Sequence, residues 1–243
     1  MANISESDLQ TKSLNELLRI AFQKRNSPLK VKAIEILGSR KDQRALSALI
    51  QIINSKNDLN IRLQAVESLR TLSDLRGVDS LIMILKDNSQ ASQIRALSAS
   101  SIFSLDLRRG VEVGIDFLIN TRNESYLIYS AILDRLMFYN SVLKPKTVSK
   151  IKIELEELLD RADFRNSWDL SITLAKTLTL YNSLMGIKFL LYQKRKLIEG
   201  FRKEYQHFLD SIEICLSDLK SYNSLSKNAS DSELYRIIEI RNP

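Results

Sequence analysis

The sequence predicts an all-α fold, an α-solenoid with divergent helices in its C-terminal part. Three observations carry this prediction. The 243 residues include only six Gly and three Pro, so few breakers interrupt the helical segments. Strand-like alternation of apolar and polar residues is scarce, and 44% hydrophobic residues support a substantial core. A similar sequence pattern also recurs every 32 or 33 residues, with the small residues Ala33, Ala65 and Ser98 at equivalent positions.

The N-terminal part predicts a cap followed by three helical hairpins. Residues 13–24, "SLNELLRIAFQK", place Leu14, Leu17, Leu18 and Ala21 on one face, which is typical of the second helix of an incomplete leading repeat. Three aligned segments follow, each with a small residue, a large apolar residue four positions later, and an Arg that opens the second helix. These residues are Ala33, Ala65 and Ser98; Leu37, Leu69 and Ile102; and Arg44, Arg76 and Arg109.

Each hairpin has two apolar faces and cannot bury both alone, so the period predicts stacking of neighbours into a continuous core. Asp42 and Asp74 precede the second helices and are suited to accept their unpaired amide hydrogens. Asp106 stands one residue early relative to the Arg match and fits this role less well.

These segments resemble the HEAT repeat family, and within it the short HEAT-like repeats named after phycobilisome lyases, over about residues 28–121. The matching text is a first helix with R/K-x-x-A/S-x-x-x-L, then D-x-R-A/G-L/V-x-x-L-I. Lys30, Arg62 and Arg95 occupy the basic position of that pattern. The resemblance implies two layers of helices, with the second helices lining a concave side. The family includes bilin lyase subunits, phycobilisome-degradation factors and plain binding proteins.

The rest of the chain predicts longer, less regular helices. Residues 125–140 and 146–162 fit the two helices of a degenerate fourth repeat. Residues 167–184 predict one helix, and residues 187–223 predict a very long helix in which Gly200 is a weak point. Residues 232–240 predict a short last helix. Residues 223–230 have the composition of a flexible linker. The expected organisation is a repeat solenoid over residues 1–162 and divergent helices over 163–243 that continue or cap it.

Candidate binding residues fall in two groups. They are Arg44, Arg76 and Arg109 near the turns, and Tyr192, Lys194, Arg195, Lys196, Arg202, Lys203 and Tyr205 in a basic segment rich in aromatics. The turn arginines also suit contacts between repeats. The basic segment fits a nucleic acid or an acidic protein, but equally an amphipathic helix with aromatic residues inward and basic residues in water.

No catalytic or metal site is predicted. His207 is the one histidine, among apolar neighbours, and Cys215 is the one cysteine, in an apolar setting typical of a buried thiol rather than a chromophore carrier. Trp168–Asp169 is a weak match to the HEAT-like DNA glycosylases. The chain lacks a Gly-rich phosphate loop and a His/Cys metal pattern. No cofactor is expected, with a phycobilin as the alternative.

The net charge of +7 is compatible with an acidic partner. The start "MANISESDLQ" is not apolar, and the most apolar window, 178–192, is too short to span a bilayer, so a cytoplasmic protein is expected. The expected function is a protein-binding scaffold or adaptor that acts through an extended concave surface without catalysis. Alternatives are a bilin lyase subunit or chaperone that serves a phycobiliprotein, with a second HEAT-repeat subunit as partner, and nucleic-acid binding through the basic helix.

Overall fold

The computed structural model describes residues 6–25, 27–161, 164, 167–181, 183–199, 206–222, 225–226 and 228–241. Within these ranges the regular structure is helical, without a strand, which confirms the predicted all-α fold. The chain divides into two compact units, residues 1–114 and residues 115–243.

The first unit is a stack of helical hairpins in two layers. Its helices are α1 (Glu6–Leu9), α2 (Leu14–Ala21), α3 (Pro28–Ser39), α4 (Leu46–Ile53), α5 (Leu59–Leu72), α6 (Gly77–Lys86), α7 (Ser92–Leu105) and α8 (Leu107–Asn120), which continues past residue 114. The first helices pack side by side, α3 on α5 and α5 on α7. Each second helix packs on the next first helix, as α4 does on α5 and α6 on α7. This is the predicted solenoid, with α2 as its leading second helix.

The small residues of the repeat let the first helices approach closely. Ala33, Ala65 and Ser98 are fully buried. Gly38 shows how tight the α3–α5 contact is, since a Cβ atom added there would lie 2.5 Å from the carbonyl oxygen of Ser68. These contacts explain why the repeat pattern places small side chains on one face of each first helix.

The Asp at each turn accepts a backbone amide hydrogen, but Asp42 and Asp74 do so in the turn that leads into the second helix, whose own N-cap residues, Ala45 and Arg76, have no side-chain cap. Asp42 and Asp74 each accept a 3.0 Å hydrogen bond from the backbone N–H two residues later. Asp106, in its shifted register, accepts at 3.0 Å from the N–H of Arg109 instead. The third turn therefore keeps its cap despite the one-residue offset, because a capping side chain reaches the N2 or the N3 amide.

The basic residues of the first helices tie each hairpin to its neighbour. Lys30 donates to the carbonyl of Gln23 (2.8 Å), Arg62 to that of Ile53 (2.7 Å) and Arg95 to that of Leu85 (2.8 Å). Each accepting carbonyl lies at or just beyond the C-terminal turn of the preceding second helix, where the helix dipole favours a cation.

Two of these residues also reach forward into the next repeat. Lys30 donates to Asn57 at 2.6 Å, and Arg62 donates to Gln90. Lys30 and Arg95 are buried. Burial lowers the pKa of Lys30, and the nearby Asp58 carboxylate partly offsets that shift. The row Lys30, Arg62 and Arg95, which we call the carbonyl ladder, is a structural feature of the stack.

The second unit contains the less regular helices. They are α9 (Tyr126–Tyr139), α10 (Pro145–Leu159), α11 (Trp168–Leu180), α12 (Leu184–Glu199), α13 (Gln206–Tyr222) and α14 (Asp231–Arg241). The helix predicted over 167–184 ends earlier, at Leu180, because buried Ser183 starts a new one by accepting from the N–H of Gly186 at 3.2 Å. The long helix predicted from residue 187 corresponds to α12 and α13, and Gly200 lies outside the described residues.

Aromatic rings form part of the core of the second unit. Tyr129 is fully buried between Phe117 and Phe164, with ring centroids 6.3 and 5.0 Å away. Arg161 lies 4.9 Å from the Phe164 centroid and donates to the carbonyl of Leu118 at 2.6 Å. Arg161 thus donates to a carbonyl at the end of α8, as the residues of the carbonyl ladder donate to carbonyls at helix ends in the first unit.

Candidate binding cleft

The second unit has an open cleft of about 630 Å³ between the end of α10, the start of α11 and one face of α12. Its volume is within the roughly 300–1,000 Å³ typical of ligand pockets. The described residues that line it are Leu159, Asp160, Trp168, Ser171, Met185, Lys188, Phe189, Tyr192, Gln193 and Lys196. We call this the aromatic–basic cleft.

Helical periodicity brings six of these side chains together. Positions 185, 188, 189, 192, 193 and 196 follow the three- and four-residue spacing of a single helix face. The opposite face of α12 anchors the helix through buried Ile187, Leu190 and Leu197. Gly186 allows the close approach to α11, since a Cβ there would lie 2.6 Å from that of Leu178.

The start of α11 supplies the aromatic wall of the cleft. Ser167 caps this helix by accepting from the N–H of Leu170, so Trp168 occupies the first helical position. The Trp168 ring is 37% exposed and lies 5.7 Å, centroid to centroid, from Phe208 of α13. Trp168 is therefore supported from one side and accessible from the cleft.

The α12 wall combines exposed aromatic and basic groups. Tyr192 is 54% exposed and Met185 is 41% exposed. The Lys196 ammonium lies 5.1 Å from the centroid of Tyr192, and the Lys188 ammonium lies 5.5 Å from that of Tyr235 in α14. These are cation–π distances, which hold both ammonium groups beside aromatic faces. The predicted alternative with aromatics turned inward is wrong for Tyr192.

The other basic residues of α12 are engaged elsewhere. Lys194 forms an ion pair with Asp231 at 2.8 Å, and Lys220 of α13 pairs with the same carboxylate at 2.8 Å. Burial raises the pKa of Asp231, but the hydrogen bonds from the two lysines outweigh it and leave the pKa below its ordinary value. Asp231 thus joins α14 to α12 through Lys194 and to α13 through Lys220. Arg195 pairs with Glu199 at 2.7 Å on the same helix.

Only some of the predicted residues of the basic segment lie on the same surface. Tyr192 and Lys196 share the cleft, whereas Lys194 and Arg195 line a different surface beside α14. Arg202, Lys203 and Tyr205 lie outside the described residues.

The turn arginines make contacts within the repeat stack. Arg44 and Arg76 each form a two-pronged ion pair with the capping Asp two residues before, at 2.6 Å for the shortest contact. Arg76 also donates to Gln43 of the preceding turn at 3.2 Å, and Arg109 pairs with Asp79 of the preceding repeat. These contacts agree with the alternative prediction that the turn arginines join neighbouring repeats.

The exposed face of the second helices in the first unit is mainly polar. On α4 and α6 the exposed side chains are Ser47, Gln51, Asp79, Met83 and Lys86. A shallow cavity of about 340 Å³ lies between these helices beside Met83, which is 74% exposed. This face of α4 and α6 presents no exposed aromatic side chain among the described residues.

His207 and Cys215, which were considered for catalysis, lie apart from the cleft lining. His207 is exposed, with its ring 3.8 Å from that of Phe208. Cys215 is buried, and burial raises its thiol pKa while a 3.6 Å contact with the Thr179 hydroxyl partly opposes the rise. A neutral buried thiol is a poor nucleophile. Among the described residues, no group of three or more His, Cys, Asp or Glu side chains could hold a metal ion.

Sequence reasoning missed several residues of the cleft. Met185 and Phe189 precede Tyr192 at helical spacing, which was a usable signal. Asp160 and Ser171 carried no signal, because their contribution depends on how α10 and α11 pack against α12. Trp168 was considered only as part of a weak Trp–Asp match.

The comparisons with known proteins identify the repeats. Residues 14–102 match the family model for HEAT repeats. A comparison with curated proteins gave no match. None of the described helices is both long and apolar enough to cross a membrane.

The solved structures that match this protein have low sequence identity to it. One is the complex of CpcE and CpcF of phycocyanin lyase from Nostoc sp. PCC7120, with 16% identity, a TM-score of 0.49, and coverage of 98% of this chain and 86% of that chain. Another is an engineered protein (17% identity, TM-score 0.44, 84% and 98% covered). Human deoxyhypusine hydroxylase in complex with glycerol gives 13% identity, a TM-score of 0.37 and 87% coverage of both chains. Similarities of this size carry no argument about function.

Proposed function

We propose, from the premise that residues 14–102 are HEAT repeats, that this protein is a scaffold or adaptor that binds a protein partner and performs no catalysis of its own. HEAT repeats build extended binding surfaces by stacking. The aromatic–basic cleft is the contact site that the geometry favours most.

The observation that carries this proposal is the composition of the cleft. Trp168, Tyr192 and Met185 are partly exposed around one cavity. Tryptophan, tyrosine and methionine are enriched where proteins bind one another, and a few such side chains usually dominate the binding energy. The turn arginines of the repeats and the carbonyl ladder are instead engaged in contacts within the stack.

A selection experiment tests the proposal. A displayed library of random peptides is selected against the intact protein, and enriched clones are measured against two variants. Tyr192→Ser removes an exposed aromatic of the cleft, and Phe138→Ser removes one, 70% exposed, from α9. We expect clones that keep their affinity for Phe138→Ser and lose about tenfold or more with Tyr192→Ser, as for a central interface aromatic. A library that yields no binder, or binders indifferent to Tyr192→Ser, contradicts the proposal.

A second candidate function is that of a bilin lyase subunit or chaperone. The observation in its favour is that aromatic side chains and two lysines line the same cleft, which suits a planar anionic ligand such as a phycobilin. The buried thiol of Cys215 weighs against this cysteine as the carrier. Addition of phycocyanobilin to the protein, alone and with a co-expressed second HEAT-repeat subunit, tests it. An unchanged visible spectrum in both cases rules it out.

A further inference from the structure

We infer that the aromatic–basic cleft takes a short acidic segment of the partner that carries one aromatic or large apolar side chain. The apolar side chain enters the cavity beside Trp168, Met185 and Tyr192, and a carboxylate of the segment pairs with Lys196. This inference rests on the proposed function and specifies the chemistry of the partner.

Charge is the first argument for an acidic segment. The described lining holds two lysines and one carboxylate, Asp160, which leaves it with one net positive charge. The chain as a whole carries +7. The Lys196 ammonium makes a cation–π contact with Tyr192, and no carboxylate among the described residues pairs with it. An incoming carboxylate can therefore approach without displacing an acidic group from that lysine.

Shape is the argument for a single apolar anchor. A cavity of about 630 Å³ accommodates one large side chain together with the backbone on either side of it. Its apolar lining comes from both α11 and α12, so a side chain that enters would contact two helices. Ser171 and Gln193 add polar groups that can pair with a peptide backbone.

The same geometry disfavours a nucleic acid. Binding along a phosphate backbone needs cations in a continuous row, and its affinity comes from several simultaneous contacts. The described basic residues of α12 are instead divided between two surfaces, with Lys194 and Arg195 paired to Asp231 and Glu199.

The protein contains its own reporter for this inference. Trp168 is the single tryptophan of the chain and lines the cleft, so its fluorescence responds to occupancy of this site. The probe is a nine-residue peptide with a central Phe flanked by Asp and Glu. Its two controls replace the acids with Asn and Gln, or the Phe with Ala. Lys196→Glu reverses a charge in the cleft, and Lys56→Glu makes the same change at an exposed residue between α4 and α5.

We expect the acidic Phe peptide to shift the Trp168 emission saturably and to bind about tenfold more tightly than either control peptide. Lys196→Glu should weaken binding by a similar factor and Lys56→Glu should leave it unchanged. Added salt should weaken binding because charged groups make the contact. Circular dichroism of each variant verifies folding, and anisotropy of a labelled peptide with Trp168→Phe verifies the signal.

Several outcomes overturn the inference. Equal binding of the Asn/Gln peptide would show that acidic groups are not recognised. Saturation by single-stranded oligodeoxythymidylate but not by the peptide would assign the cleft to nucleic acid. If the library selection yields neutral peptides that depend on Tyr192, the proposed function stands and this inference falls. If nothing selected depends on Tyr192, both fall.

Discussion

At the scale of single residues, the charged groups of the repeat stack are used for capping and joining. Asp74 is buried, accepts from the backbone of Arg76 and pairs with its guanidinium. Arg95 is buried and donates a hydrogen bond to a carbonyl at the end of α6. Because these contacts are internal, a substitution at either residue should alter stability before it alters binding.

Asp74→Asn keeps the size of the side chain and removes its charge. Hydrogen bonding from Arg76 outweighs burial and holds the pKa of Asp74 below its ordinary value of 3.8. A lowered carboxyl pKa stabilises the fold above about pH 4, and the stabilisation is lost as the pH falls through the folded pKa. We expect the variant to lose about 1 kcal/mol of unfolding free energy at pH 7, because the charge-assisted contact with Arg76 is lost while asparagine can still accept from the backbone; urea denaturation measures this loss.

The pH dependence provides the control for this prediction. The difference between wild type and Asp74→Asn should shrink as the pH falls below about 4, because the carboxyl group, whose pKa is lowered in the folded state, is protonated there. Glu35→Ala, which breaks a surface ion pair with Lys32, should change stability by less than about 0.5 kcal/mol. A difference for Asp74→Asn that stays constant down to pH 2 would show that the charge is not responsible.

Arg95→Met tests the carbonyl ladder. The substitution removes the donor to the Leu85 carbonyl and leaves that buried acceptor unsatisfied, so we expect a loss of about 1–3 kcal/mol in unfolding free energy. Arg108→Met, at an arginine whose side chain is largely exposed, is the matched control and should stay within about 0.5 kcal/mol of wild type. Similar losses for the two variants in thermal and urea unfolding would contradict a special role for the ladder.

At the scale of elements, close helix contacts decide which substitutions are tolerated. In α3, Gly38 faces the backbone of Ser68 in α5, and an added Cβ would lie 2.7 Å from its Cα. At the start of α6, the nearest atom to a Cβ on Gly77 is the end of the flexible Leu69 side chain, 3.1 Å away. Backbone cannot move aside as a leucine methyl can.

Gly38→Ala should therefore destabilise the protein although alanine is the better helix former by about 1 kcal/mol. Separation of α3 from α5 should give a net loss of about 1–3 kcal/mol. Gly77→Ala should be within about 0.5 kcal/mol of wild type. Thermal unfolding of both variants is the measurement, and a stabilised Gly38→Ala would show that the helices are not in this close contact.

Elements with a repeated pattern were predictable, and elements without one were less so. The hairpins of the first unit follow from small and apolar residues that recur at one spacing, as at Ala33 and Ala65. The end of α11 at Leu180 was missed, since it depends on the buried hydroxyl of Ser183, which donates to Glu156 of α10. A contact between distant parts of the chain leaves no local signal.

At the scale of the whole molecule, two compact units carry different features. The unit of residues 1–114 contains the whole match to HEAT repeats, the carbonyl ladder and the turn arginines. The unit of residues 115–243 contains the aromatic–basic cleft. The sequence predicted Tyr192 and Lys196 as binding residues from composition, but not which helix faces α12. Burial of Ile187 and Leu190 turns the opposite face toward the cleft.

Hydrogen–deuterium exchange of the intact protein, with and without a peptide from the library selection, tests the central claim that binding occurs in this cleft. The account predicts slower exchange in residues 167–171 and 184–196, and unchanged exchange in residues 46–54 and 77–86 on the second helices of the repeats. Protection confined to residues 46–54 and 77–86 would contradict it and assign binding to the repeat face.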